Sequence, residues 1–150
     1  MMTDALLQLA TAQTVTASAV STNAIDLSQV RDIAPGTPLF AVVTVDEAAT
    51  AAGAATVDFQ VITSAAANLG TPTIIGSTSP LAKTELTLGR KPIVIPIPAA
   101  ALLAQPIGQR YFGLQFAVAT GPLTAGKFSV AITDSDVSVG KNYPSGFTVA

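Results

Sequence analysis

One stretch of this sequence looks openly like chemistry. "GPLTAGKFS", Gly121 to Ser129, has the Gly, four residues, Gly and Lys of a phosphate-binding loop. Such a loop needs backbone N–H groups around the phosphates, a Ser or Thr hydroxyl for magnesium, and a helix to follow. Here Phe128 stands at the hydroxyl position, and Pro122 removes one backbone donor. The flanks also disagree. Phe112, Leu114, Phe116 and Val118 alternate before the loop, and Phe128, Val130 and Ile132 alternate after it. Two period-two runs with a short Gly/Pro link between them predict a β-hairpin, with Lys127 in or beside its loop.

The other reactive candidates are equally spare. The chain has no His, Cys or Trp, so acid–base work would fall to carboxylates. Asp46 and Glu47 are adjacent at an expected strand end and fit a solvated loop. Asp134 and Asp136 resemble half of a calcium loop, without the Gly and distal Glu that complete one. Ser145 in "YPSGF" has neither the Gly-x-Ser-x-Gly frame nor a His to activate it. Arg31-Asp32 and Lys83-Glu85 fit local ion pairs or turn caps. The expectation is a non-enzyme with no cofactor and no metal.

Composition narrows the partners. Of 150 residues 49% are hydrophobic but only 11% charged, against about a quarter in an ordinary soluble domain. A net charge of −2, with basic residues scattered apart from Arg90-Lys91, offers no stripe for nucleic acid. No apolar run approaches the roughly 20 residues of a spanning helix, so no membrane partner is expected. "MMTDALLQLATAQ" carries Asp4 where a secretory leader would be basic. High apolar content with few charges points to a surface that meets other protein.

The elements that must position these residues are strands. "LFAVVTV" (Leu39 to Val45) is a strand, and in "TVDFQVITS" (Thr56 to Ser64) Val57, Phe59 and Val61 point inward. "TPTIIGSTS" is its expected partner. In "KPIVIPIP" Ile93, Ile95 and Ile97 share a face, and prolines 92, 96 and 98 confine the strand to an edge. "QTVTASAVS" and "NAIDL" are short strands near the start. "DEAATAAGAA" (Asp46 to Ala55) is expected as a long loop or single turn, and "AAALLAQPIGQ" as a loop or one helical turn. About eight short strands with Gly/Pro turns define an all-β, single-domain, jelly-roll-like β-sandwich over 1–150. Arms are expected over about 1–12 and 134–150.

The tail, "NYPSGFTVA", sets Tyr143 and Phe147 outside any clear strand, with Pro144 and Gly146 bending the chain between them. Rings in an irregular, low-charge segment fit a partner's pocket, which makes Tyr143, Pro144 and Phe147 candidate partner contacts. The alternative is that the rings close the end of the protein's own sandwich.

"NAIDLSQVRDIAPGTPLFAVVTVDEA", "GAATVDFQVITS", "RYFGLQFAVATGPLTAGKFSVAI" and "NYPSGF", in that order, resemble the capsid cement (decoration) proteins of tailed phages, of the type on a Bordetella podophage. The stretches that carry the likeness lie outside Ala65 to Gln109. The resemblance implies a jelly-roll-like protein synthesised in the host cytoplasm and carried on the outer capsid surface of the virion. Its partners would be the major capsid protein, whose neighbouring subunits it clamps, and itself, as a homo-oligomer with a dimer favoured over a trimer. A competing class is a receptor- or glycan-binding sandwich of a fibre or adhesin. The missing Trp and scarce Tyr count against sugar recognition.

Overall fold

The computed structural model describes residues 4–28 and 38–134. After a 3-10 turn at Ala5–Leu7 come β1 (Gln8–Thr14), β2 (Ala19–Val20), β3 (Ile25–Asp26), β4 (Leu39–Thr50) and β5 (Thr56–Ser64). Then follow β6 (Thr73–Ser77), β7 (Leu81–Ala82), β8 (Ile93–Ile97), α1 (Ala99–Ala104), β9 (Tyr111–Ala119) and β10 (Ala125–Thr133). One sheet has the order β1-β10-β4-β8. The other runs β2-β9-β5-β6, with β3 also on β9 and β7 also on β5.

These pairings amount to one long hairpin. Folded back between β5 and β6, the chain pairs first with last: β1 with β10, β2 and β3 with β9, β4 with β8, β5 with β6 and β7. Rolling that hairpin brings β10 against β4 and β9 against β5, which is the winding of a jelly roll. The expected sandwich is the observed one.

The expected β9–β10 hairpin is not. The two strands alternate as the sequence indicates, but β9 belongs to one sheet and β10 to the other. Alternation shows that each strand buries one face; it does not say whether consecutive strands share a sheet. The link crosses between sheets at the end of the sandwich, with Thr120 and Gly121 at positive φ. Leu123 is buried there, and its N–H donates to Thr16 O at 2.9 Å.

Between the sheets Phe59 from β5, Phe116 from β9 and Phe128 from β10 are fully buried. Phe59 stands edge-on to Phe116 at 5.8 Å and to Phe128 at 5.2 Å, and Phe116 stacks on Phe128 at 5.9 Å. Phe59 and Phe116 are cross-strand partners, so Phe128 joins them from the opposite sheet.

Each open side of the sandwich closes differently. On one side β8 is an edge strand, as its prolines require, and Ile93, Ile95 and Ile97 are buried. There β6 comes so close that a Cβ on Gly76 would lie 3.1 Å from Pro96 O. On the other side the β1–β3 segment passes from one sheet to the other, held largely by polar side chains. Val118 N–H and Leu114 N–H donate to the hydroxyls of Ser18 and Ser21, at 2.9 and 3.1 Å, where ladder carbonyls would otherwise accept. Gln13 bridges the gap: its amide donates to Val20 O and accepts from Thr22 N–H, both at 2.9 Å. Residues 8–12 of the expected N-terminal arm thus lie in β1, with Leu9 and Ala10 in the core.

β4 is longer than expected. It continues through Thr50, taking in the first half of the Ala-rich stretch expected as a loop or turn. Two register shifts against β10 absorb the extra residues, between Ala125 and Lys127 and between Lys127 and Phe128.

Phe128→Ala removes the ring that joins the sheets and should cost about 3–5 kcal/mol, whereas exposed Leu88→Ala should stay within about 0.5. Urea melts of the two variants check this.

Candidate partner-binding surface

The residues singled out for chemistry take up structural positions. Lys127 sits on β10 opposite Glu47 of β4, and its Nζ lies 2.8 Å from Glu47 Oε2. The Glu47 hydrogen bond raises the Lys127 pKa above the ordinary lysine value. A strand, not a helix, follows the glycines, and Phe128 at the hydroxyl position is in the core. Asp46 and Glu47 therefore lie inside a strand and not in a solvated loop. Ser129 Oγ donates to Asp46 Oδ2 at 2.6 Å and accepts from Ala12 N–H at 2.9 Å, which ties β4, β10 and β1 together across their irregular registers.

Glu85 acts as a turn cap, accepting from Ala82 N–H at 2.9 Å. Lys83 does not pair with it; its Nζ reaches Ala51 O instead. Asp134 is exposed, and among the described residues no cluster of three or more His, Cys, Asp or Glu could hold a metal. Arg31, Asp32, Asp136, Ser145 and the candidate contacts Tyr143, Pro144 and Phe147 lie outside the described residues.

One ion pair that the sequence did not suggest is bidentate. Arg110 grips Asp26 with two bonds, Nε to Oδ1 at 2.6 Å and a terminal nitrogen to Oδ2 at 2.8 Å. Asp26 also accepts from Ser28 N–H, and the Arg110 guanidinium lies 5.2 Å from the centre of the Tyr111 ring. A separation of 84 positions hides the pair from any local pattern. Arg110 first, then the Ser28 amide, holds the Asp26 carboxyl below its usual range. Both groups are about half-exposed, so the pair adds little to global stability.

The surface also carries large apolar side chains. No charged residue occurs between Lys91 and Arg110, and this stretch presents Leu103 at 74% and Ile107 at full exposure. α1 explains the pattern: Leu102 turns into the core, and its neighbour Leu103 must then point away. Gly108, at φ 104°, turns the chain back towards β9 just after Ile107 is presented. Ile74, Leu88 and Leu6 are also exposed. Among the described residues no helix is long and apolar enough to cross a membrane.

Fold and surface together define a jelly-roll sandwich with an apolar core, charged side chains that pair between strands, and a few large apolar side chains facing outward. The model of the Bbp16 family matches residues 9–132, and the chain belongs to that family, whose name points to a Bordetella bacteriophage protein. No curated protein matches the chain. Membership fits a structural protein of a phage.

The Asp26 shift fixes a sign. A carboxylate with a depressed folded pKa stabilises the fold above the ordinary value of about 3.9 and loses that contribution as pH falls through its folded value. Asp26→Asn should therefore melt slightly below the parent at pH 6, and the gap should close in strong acid. Paired thermal melts across that range read it directly.

Proposed function

We propose that this protein is a capsid cement protein, which binds the assembled phage shell and clamps neighbouring major capsid subunits. Membership of a phage family over residues 9–132 is the observation that carries this reading. The sequence resemblance to cement proteins supports it, and so does an apolar surface with few charges. The mechanism is thermodynamic. A protein that binds only the assembled lattice stabilises it by mass action, and many copies multiply the effect.

The uncharged segment around Leu103 and Ile107 is the strongest contact candidate among the described residues. Burying one exposed Leu or Ile side chain contributes roughly 1.5–3 kcal/mol. Leu102 holds the segment to the core, whereas Leu103 and Ile107 point away from it, so these two side chains can change while the sandwich stays intact. As a homo-oligomer the protein would present one such segment per copy to the shell.

The test is cosedimentation with capsids stripped of their cement. The parent should bind empty shells and raise their melting temperature. Leu103→Asp with Ile107→Asp should keep the parent's own melting temperature but lose about 2–4 kcal/mol of attachment, a thirtyfold to thousandfold drop in affinity. A parent that ignores assembled shells ends the cement reading. A double variant that binds normally moves the contact elsewhere.

A further inference from the structure

The outward face of the β1–β10–β4–β8 sheet changes character along its length. One end is polar, with Glu47 against Lys127 and Asp46 against Ser129. Towards the other end the same outward rows hold Val42 and Ala131, which are cross-strand partners. Their exposures are only 3% and 8%, although neither belongs to the core cluster between the sheets. Beyond them a groove of about 310 Å³ opens, lined by apolar side chains that include Phe40, Pro96, Ile97 and Pro98.

The register shows where the chain leaves this sheet. β10 ends at Thr133, which is paired with Phe40, and Phe40 is paired with Pro96. Adjacent strands lie about 4.8 Å apart, so the chain exits within about 10 Å of the groove. The residues that follow, 135–150, carry Tyr143, Pro144, Phe147 and Val149, and only Asp136 and Lys141 are charged. Tyr143 lies nine positions beyond Asp134, a reach of up to about 30 Å.

We propose that the segment 135–150 of the same chain is the occupant of this groove, with Tyr143 or Phe147 seated against Phe40 and Pro96. The argument is one of matching chemistry and of tethering. A groove without a charged group in its lining suits an aromatic ring on a nearly uncharged segment, whereas the charged end of the face would not. A segment joined to the groove's own sheet also meets it at an effective concentration in the millimolar range, which a free partner must exceed. The rings that the sequence marks as candidate partner contacts then cover the protein's own sheet. This assignment stands apart from the cement reading and needs no capsid to test it.

The chain has no cysteine, so introduced pairs report cleanly. Pro96→Cys would be combined with Tyr143→Cys and, separately, with Phe147→Cys. The control is Leu88→Cys with Phe147→Cys; Leu88 is exposed near the Ala49 end of β4, far from Phe40. Under mild oxidation at low protein concentration, at least one Pro96 pair should lose both thiols and run as a bridged monomer, while the control pair stays reduced. Bridging between two chains would place the segment on a neighbouring copy and overturn the proposal. So would failure of both Pro96 pairs to bridge, or equal bridging in the control.

Discussion

The contact among Phe59, Phe116 and Phe128 is what makes two sheets into one protein. Phe59 and Phe116 meet as cross-strand partners within one sheet, and Phe128 enters from the other. Edge-to-face contact at 5.2 Å places ring edges against ring faces, an arrangement worth about 0.5–1.5 kcal/mol beyond the area buried. These rings sit on β5, β9 and β10, strands that the long-hairpin winding brings to the middle of each sheet. In a chain with so few aromatic residues, three of the six phenylalanines are spent at one point. The remaining core is Phe112 with Val, Ile, Leu and Ala, which pack around the three rings.

From that centre outward, the constraint becomes one of closing edges with little charge to use. At the β6–β8 side a glycine and an edge proline let backbone approach backbone. At the β1–β3 side serine hydroxyls and the Gln13 amide take the ladder's place. The few carboxylates near the strands follow the same economy. Glu47 and Asp46 join β4 to β10 where their register slips, and Asp26 fastens the start of β9 through Arg110. Charged groups are used for fastening, and stretches such as the one presenting Leu103 and Ile107 carry none.

This also explains which features were legible in the sequence. Strand identity was: the alternating Phe and Val of β5, β9 and β10 face the core as read, and the prolines of β8 mark an edge. A pairing between β5 and β6 could be read from their proximity because they do share a sheet. The same logic misassigned β9 and β10, because a jelly roll places some successive strands across the sandwich and periodicity carries no sign of which. Asp46 and Glu47 were misread for a related reason. A strand rich in Ala beyond Glu47 has weak intrinsic preference, and only the partner strand β10 holds it extended.

The candidate surface was less legible than the fold, because exposure depends on neighbours that sequence spacing does not name. Leu102 and Leu103 are chemically identical neighbours, yet one is buried and the other open. The division follows from where α1 begins after Pro98, a consequence of β8 ending at the sheet edge. The same edge, through Pro96, Ile97 and Pro98, also shapes the groove beside Phe40. A strand that cannot donate along its full length therefore sets both the outward leucine and the apolar hollow. Among the described residues, the prolines at this sheet edge thus border both the groove beside Phe40 and the segment that presents Leu103.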